Sequence, residues 1–110
     1  MAESGGLGEF EHLVLLAVVR LKAGATAAAI RAEIISTARR PVSRGALYAT
    51  LERLERKGYL TWDTEPSGPA RGGVPRRCFR MTAAGLRALQ RVRAAMAEMS
   101  SGLERLVGEA

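Results

Sequence analysis

The sequence contains little cysteine, histidine or aromatic residue, and it has no long hydrophobic run. Cys78 and His12 are the only cysteine and histidine among 110 residues, which excludes an intrachain disulfide and a clustered Cys/His metal site. The longest apolar run, Leu13 to Val19, is far shorter than the roughly 20 residues that a membrane helix needs. The N-terminal residues do not resemble a signal peptide. We therefore expect a cytoplasmic protein with no metal, no cofactor and no membrane partner.

The usual signatures of catalysis are also missing. No Cys/His pair has a recognisable motif spacing, no glycine-rich P-loop pattern occurs, and no carboxylate pair lies in an apolar context. These absences predict that the protein is not an enzyme.

Arginine, by contrast, is abundant. The chain has 17 basic and 11 acidic residues, a net charge of +6 and a pI near 10.7, and 15 of the basic residues are arginine. The segment from Pro66 to Ala97 has no acidic residue but seven arginines: Arg71, Arg76, Arg77, Arg80, Arg87, Arg91 and Arg93. Because a guanidinium binds phosphates and base edges, this local charge indicates a polyanionic partner.

Hydrophobic periodicity predicts three helices in the first half of the chain. The first runs from Gly8 to Lys22 and is apolar around nearly its whole circumference, so we expect it to be buried on most sides. The second begins after the N-cap Thr26, has an apolar stripe from Ala27 to Ala38, and is closed by Arg39 and Arg40. The third runs from about Arg44 to Lys57 after the N-cap Ser43, and its apolar face consists of Leu47, Leu51 and Leu54.

Two alternating segments around a Gly- and Pro-rich loop predict a β-hairpin. In the second strand, Phe79 and Met81 should face inward, whereas Cys78 and Arg80 should face outward. Trp62 is interpreted as a residue of the hairpin or the core.

A last helix should begin after the N-cap Thr82 and continue from Ala83 to near Val107. Its apolar residues alternate at spacings of three and four, as in a heptad seam: Leu89, Val92, Met96, Met99, Leu103 and Leu106. The seam favours dimerisation over packing against the first helix of the same chain. The segment Ser100–Gly102 contains poor helix formers, which would allow a bend there.

This order of elements predicts a mainly α fold with a β-hairpin, namely a winged helix-turn-helix with a C-terminal dimerisation helix. Residues 1–8 should form a flexible terminus, residues 9–82 the winged domain and residues 83–110 the dimerisation helix.

The motifs SRGALYATLERLERKGYL and RRCFRMTAAG, separated by a glycine-rich loop, resemble the PadR family of transcriptional regulators. The resemblance covers roughly Leu13 to Leu89 and includes a G-x-L-Y pattern at Gly45, Leu47 and Tyr48. The chain departs from the family at Ala27–Ala29, where a Gly-Tyr pair is common, and at Cys78 and Phe79, where aromatic residues are common. The resemblance to compact members with one C-terminal helix implies a regulator without a separate sensor domain.

A helix-turn-helix places its recognition helix in the major groove while flanking groups contact phosphates. With its leucines in the core, the third helix turns Gly45, Tyr48, Ala49, Glu52 and Arg56 outward, with Arg53 at the margin. The arginines at the end of the second helix either interact with the helix dipole or bind phosphates. The predicted DNA-binding residues are Arg39, Arg40, Ser43, Arg44, Gly45, Tyr48, Ala49, Arg53, Arg71, Arg76 and Arg77.

The sequence thus predicts a homodimeric repressor that binds an operator with two half-sites and is released by a small-molecule effector of unknown identity. The alternative is a winged-helix module that binds protein or RNA without operator specificity. Cys78 is interpreted as a small strand residue, with a redox sensor as the alternative, and His12 as a polar residue of the first helix.

Overall fold

A computed structural model describes residues 6–65 and 75–108 of the chain. Its elements follow the order of helices and strands predicted from the sequence, and their boundaries are close to the expected ones in all but the last helix. They are the helices α1 (Glu9–Leu21), α2 (Ala27–Ala38) and α3 (Arg44–Arg56), the strands β1 (Leu60–Glu65) and β2 (Arg76–Met81), and the helices α4 (Ala83–Ser100) and α5 (Glu104–Val107). The predicted fold class, a mainly helical winged helix-turn-helix, is confirmed.

The core forms where α1 packs against α2, α3 and the hairpin. Val14 and Leu15 of α1 are fully buried, together with Ile30 of α2 and Leu54 of α3. The prediction that α1 is buried on most sides is confirmed, although Val19 remains 47% exposed. Since full burial of such a side chain contributes about 1.5–3 kcal/mol, these contacts account for much of the stability of the domain.

A short turn between α2 and α3 orients the third helix. Arg39 ends α2 in the left-handed conformation, with φ 55° and ψ 48°. Arg31 of α2 then donates from Nε to the carbonyl of Val42 at 2.7 Å, and Val42 itself is buried. Ser43 caps α3 by accepting a hydrogen bond from the Ala46 amide. The turn is therefore held by both backbone conformation and a side-chain hydrogen bond.

The antiparallel hairpin pairs Trp62 with Phe79, and Phe79 is buried against the helices as predicted. Arg80 lies on the outer face. Cys78, which we expected to face outward with Arg80, is half-buried, and its Sγ donates to the carbonyl of Ala23. The difference arises because the segment before α2 pairs with the free edge of β2, where the Phe79 amide donates to the carbonyl of Ala25.

The start of α4 is packed closely against the end of α3. Thr82 caps the helix by accepting from the Gly85 amide and also donates to the carbonyl of Gly58 at 2.6 Å. A Cβ atom at Gly85 would lie 2.3 Å from the carbonyl oxygen of Tyr59. Position 85 therefore requires glycine because the backbone approaches so closely.

The prediction of one helix from Ala83 to near Val107 is wrong beyond Ser100. The helix α4 ends at Ser100, and the short α5 resumes at Glu104. Gly102 lies between them with φ 84°, a conformation that glycine adopts readily and other residues rarely. The break falls at the segment whose weak helix propensity allowed a bend.

Candidate nucleic-acid interface

The exposed face of α3 has the rotation predicted from the sequence. Leu47, Leu51 and Leu54 are buried, with exposures of 1%, 2% and 0%. The opposite face is exposed and consists of Gly45, Tyr48, Ala49, Glu52 and Arg56. Thr50, also buried, belongs to the core face although the leucine spacing alone does not include it. Small side chains at positions 45 and 49 leave room for the backbone to approach a base edge.

Tyr48 lies at the centre of a concave surface between α2, α3 and β2. Arg44 shares one depression with it beside Ala27 and Ala28. A second depression, of about 280 Å³, is lined by Tyr48, Ala49 and Arg77. A third, of about 290 Å³, is lined by Tyr48, Arg76 and Arg77. We call the five residues Arg44, Tyr48, Ala49, Arg76 and Arg77 the Tyr48 surface. The fold thus brings together residues that are up to 33 positions apart in the sequence.

Arg77 occupies a defined position on the inner face of the hairpin. Its guanidinium lies 4.4 Å from the ring centroid of Trp62, within the range of a cation–π interaction. The indole Nε1 of Trp62 in turn donates to Glu55 of α3 at 2.6 Å. Trp62 is thus a hairpin residue, as predicted, and it joins the wing to the third helix and places Arg77 beside Tyr48.

The arginines at the end of α2 have different surroundings. Arg39 is exposed, whereas Arg40 forms an ion pair with Glu9 at 2.9 Å and lies 5.4 Å from the ring centroid of Phe10. The contacts of Arg40 with α1 leave only part of its guanidinium for a phosphate. Arg71 lies outside the described residues.

Arg53 lies at the margin of the exposed face of α3 and contacts α1. Its Nε donates to Glu11 at 3.0 Å and its terminal nitrogen donates to Thr50 at 3.3 Å. Sequence reasoning missed Glu11, which is only 5% exposed. Its position three residues after the N-cap Gly8 is that of the glutamate in a capping box, and the Gly8 amide does donate to it at 2.8 Å.

Glu11 remains charged because several donors surround it. Burial raises the pKa of its carboxyl, but hydrogen bonds from the Gly8 amide, Lys57 and Arg53 lower it, and the balance lies below the ordinary value. By contrast, burial and the nearby charge of Arg93 lower the pKa of His12. The ring is half-buried, and its Nε2 has no hydrogen-bond partner among the described residues.

The apolar seam of the last helix leaves the core after its first members. Leu89 is 5% exposed, and Val92 is half-buried. The members beyond them are 60%, 78%, 45% and 85% exposed, namely Met96 and Met99 in α4, then Leu103 and Leu106 at the start of α5 and within it. We call these four residues the α4 stripe. An isolated chain therefore presents four large apolar side chains to water.

Within residues 6–65 and 75–108, no cluster of three or more His, Cys, Asp or Glu side chains is suited to a metal ion. Over the same residues, no helix has the length and hydrophobicity needed to span a membrane.

The family model of the PadR-like transcriptional regulators matches residues 15–91, which is more than half of the chain. A search of curated proteins finds no significant match. Among solved structures, a PadR-like transcription factor from Bacteroides fragilis superposes with a TM-score of 0.71 and 26% identity over 88% of each chain. A PadR family regulator from Eggerthella lenta has a TM-score of 0.67 and 27% identity, covering 93% of this chain and 88% of its own.

A PadR-like regulator from Bacillus cereus, with a TM-score of 0.72, 17% identity and coverage of 92% and 93%, supports the fold alone. The family match and the two more similar structures agree with the winged helix described above. The chain therefore belongs to the PadR-like family of transcriptional regulators, and its fold supports a DNA-binding transcription regulator.

Proposed function

We propose that the protein is a sequence-specific repressor that binds its operator as a homodimer. The observation that carries this proposal is the Tyr48 surface, where three arginines and a tyrosine surround the exposed start of α3. Arg44 and Tyr48 can donate to base edges or phosphates, and Ser43 and Gly45 lie beside them at the positive end of the helix. Arg76 and Arg77 extend this surface along the wing.

The residues of the Tyr48 surface differ in whether they are suited to contact phosphates or base edges. Contacts to phosphates position a protein without identifying the sequence, whereas contacts to base edges in the major groove specify it. We assign base contacts to the first two turns of α3, around Gly45, Tyr48 and Ala49. We assign phosphate contacts to Arg44, Arg76 and Arg77, with Arg39 and Arg71 as further candidates outside the Tyr48 surface. Arg53 is not included because it is held by Glu11.

The homodimer is supported by the α4 stripe, since a group of large exposed apolar side chains is typical of surfaces that bind another protein chain. A dimer would present two α3 helices to successive major grooves of one face of DNA. An effector that changes the spacing of these two helices would release the operator.

Footprinting on genomic fragments tests the proposal. We expect protection of two related half-sites with centres about 34 Å, or one helical turn, apart. The control is the variant Ala49→Glu, which should give no footprint. Binding to RNA or to a protein without any protected duplex would contradict the proposal and favour a different use of the winged helix. Unrelated or single protected sites would contradict the homodimer.

A further inference from the structure

Glu11 is the one charged side chain that is buried among the residues that the structure describes. One carboxylate oxygen accepts from the Gly8 amide, at 2.8 Å, and from Lys57 Nζ, at 3.0 Å. The other accepts from Lys57 Nζ and from Arg53 Nε, both at 3.0 Å. We call these four residues the Glu11 cluster. A buried carboxylate with both oxygens used by cations is a strong and specific contact.

The cluster holds two cations of the recognition helix on the side that faces α1. Arg53 lies in the last turn of α3 and Lys57 at its C-cap. Arg53 also donates to the buried Thr50 hydroxyl, and Lys57 donates to the carbonyl of Gly6 at 3.3 Å. Arg53 is therefore held by Glu11 of α1 and by Thr50 of its own helix, although it is still 46% exposed. Lys57 is held by Glu11 and by the chain that precedes α1.

Without Glu11, the same cations would be available to DNA. Arg53 follows Ala49 by four residues, which places the two on neighbouring parts of the helix surface, one turn apart. Ala49 belongs to the Tyr48 surface, so a released Arg53 would lie next to the DNA. A phosphate contact made there would strengthen binding to every sequence, since phosphates carry no sequence information.

We propose that Glu11 is a positioning residue for DNA recognition that keeps Arg53 and Lys57 away from the phosphates. This inference rests on the proposed DNA-binding function and deepens it. Specificity is the difference between operator and non-operator affinity, so withholding non-selective contacts increases it.

The test compares Glu11→Gln with Glu33→Gln. Both substitutions raise the net charge by one, but Glu33 pairs with Arg20, away from α3. The measurement is the slope of log Kobs against log salt concentration on a duplex of unrelated sequence. For Glu11→Gln we expect a slope steeper by about 0.9 for each additional phosphate that the variant neutralises, with tighter non-specific binding and a lower operator preference. Glu33→Gln should leave the slope unchanged.

A second substitution, Arg53→Met, distinguishes release of the arginine from a purely structural effect. In the double variant with Glu11→Gln, it should remove the part of the increase in salt slope that comes from phosphate contacts of Arg53. In the wild-type background it should leave the slope unchanged, because Arg53 makes no phosphate contact there. A lower slope for Arg53→Met alone overturns the proposal, even if Glu11→Gln fails to fold.

An unchanged slope for a folded Glu11→Gln variant also overturns the proposal, since a merely structural carboxylate would lower the melting temperature only. These results are separate from failure of the proposed function. In that case the wild-type protein would show no operator preference, whereas the salt slopes on unrelated DNA would still report whether Glu11 restrains Arg53. Complete absence of duplex binding by the wild type contradicts both proposals.

Discussion

The helices α3 and α4 have the same kind of apolar periodicity but different surroundings. In α3 the leucines are buried within the chain, and no more than 2% of each is exposed. In α4 only the first turns contact the body, and Met99 is 78% exposed. The periodic pattern shows that each helix has an apolar face, but it does not show what covers that face. One stripe builds the domain, and the other is available to a partner.

Charged side chains differ between the two helices in the opposite way: those near α3 have specific partners, whereas those of α4 face solvent. Near α3, cations are held by specific partners, such as Glu11 for Arg53 and Trp62 for Arg77. In the middle of α4, Arg87 and Arg91 are exposed on the solvated side of the helix. We therefore expect DNA binding to depend on the positions of charged side chains near α3, and association of two chains to depend on the apolar side chains of the last helix.

The largest expected effect comes from placing charge on the α4 stripe. The double variant Met96→Asp and Leu103→Asp should convert dimers into monomers, because two buried carboxylates would oppose association. Analytical ultracentrifugation measures the change, and Ala94→Asp on the opposite side of α4 is the matched control. A double variant that still sediments as a dimer would show that the interface lies elsewhere.

Next, substitutions at two nearby positions of α3 should affect different properties, namely operator binding and stability. Ala49→Glu places a carboxylate on the exposed face, so it should abolish operator binding while the melting temperature stays nearly unchanged. Leu51→Ala should instead destabilise the fold by about 2–5 kcal/mol, through the cavity that it leaves. Thermal melting and DNA titration of both variants provide the test. Early melting of Ala49→Glu, or full operator affinity, would show that the outward face has been misassigned.

A smaller effect is expected for the wing. Replacing Arg71 and Arg76 with alanine should weaken binding to specific and unrelated DNA alike and should flatten the salt dependence by about 0.9 log units for each phosphate that is no longer neutralised. Arg80→Ala is the control, because Arg80 pairs with Asp63 on the outer face and its removal should not change the slope. If the double variant keeps the wild-type slope, these wing arginines do not contact phosphates.

The smallest effects are expected for alanine substitutions at two helical glycines, which should change stability in opposite directions. Gly85→Ala should destabilise the protein by about 1–3 kcal/mol, since its Cβ would press on the Tyr59 carbonyl. Gly45→Ala meets nothing within 4 Å and should stabilise α3 by up to about 1 kcal/mol through helix propensity. Chemical denaturation measures both changes. We also expect weaker operator binding for Gly45→Ala, and stabilisation at position 85 would contradict the close packing described above.

Several local features could be predicted because the residues that cause them are adjacent in sequence. The N-caps of α2, α3 and α4 are the predicted residues Thr26, Ser43 and Thr82, whose side chains accept hydrogen bonds from backbone amides of the first turn. A hydroxyl side chain just before a segment of helical apolar spacing is the signal that identifies them. The rotation of α3 also followed from the spacing of its leucines. The length of the last helix did not, since its heptad pattern continues through Ser101 and Gly102 although the backbone turns there.

The site was less predictable wherever it depends on contacts between distant residues. Glu11 and Arg53 are 42 positions apart, and no periodicity within α1 or α3 indicates that they meet. The half-burial of Cys78 likewise depends on the pairing of the segment before α2 with β2. Such contacts depend on how the elements pack, so a pattern within one element does not contain them.

The sequence by itself determined the type and order of the elements, their caps and the apolar face of each helix. These properties arise from backbone preferences and side-chain spacing over a few residues. Only the tertiary structure decided which arginines lie on the Tyr48 surface and which are held by carboxylates, because that choice depends on which elements pack beside one another. It also decided that α3 is covered while the α4 stripe stays exposed, since burial is a property of the whole fold rather than of one helix.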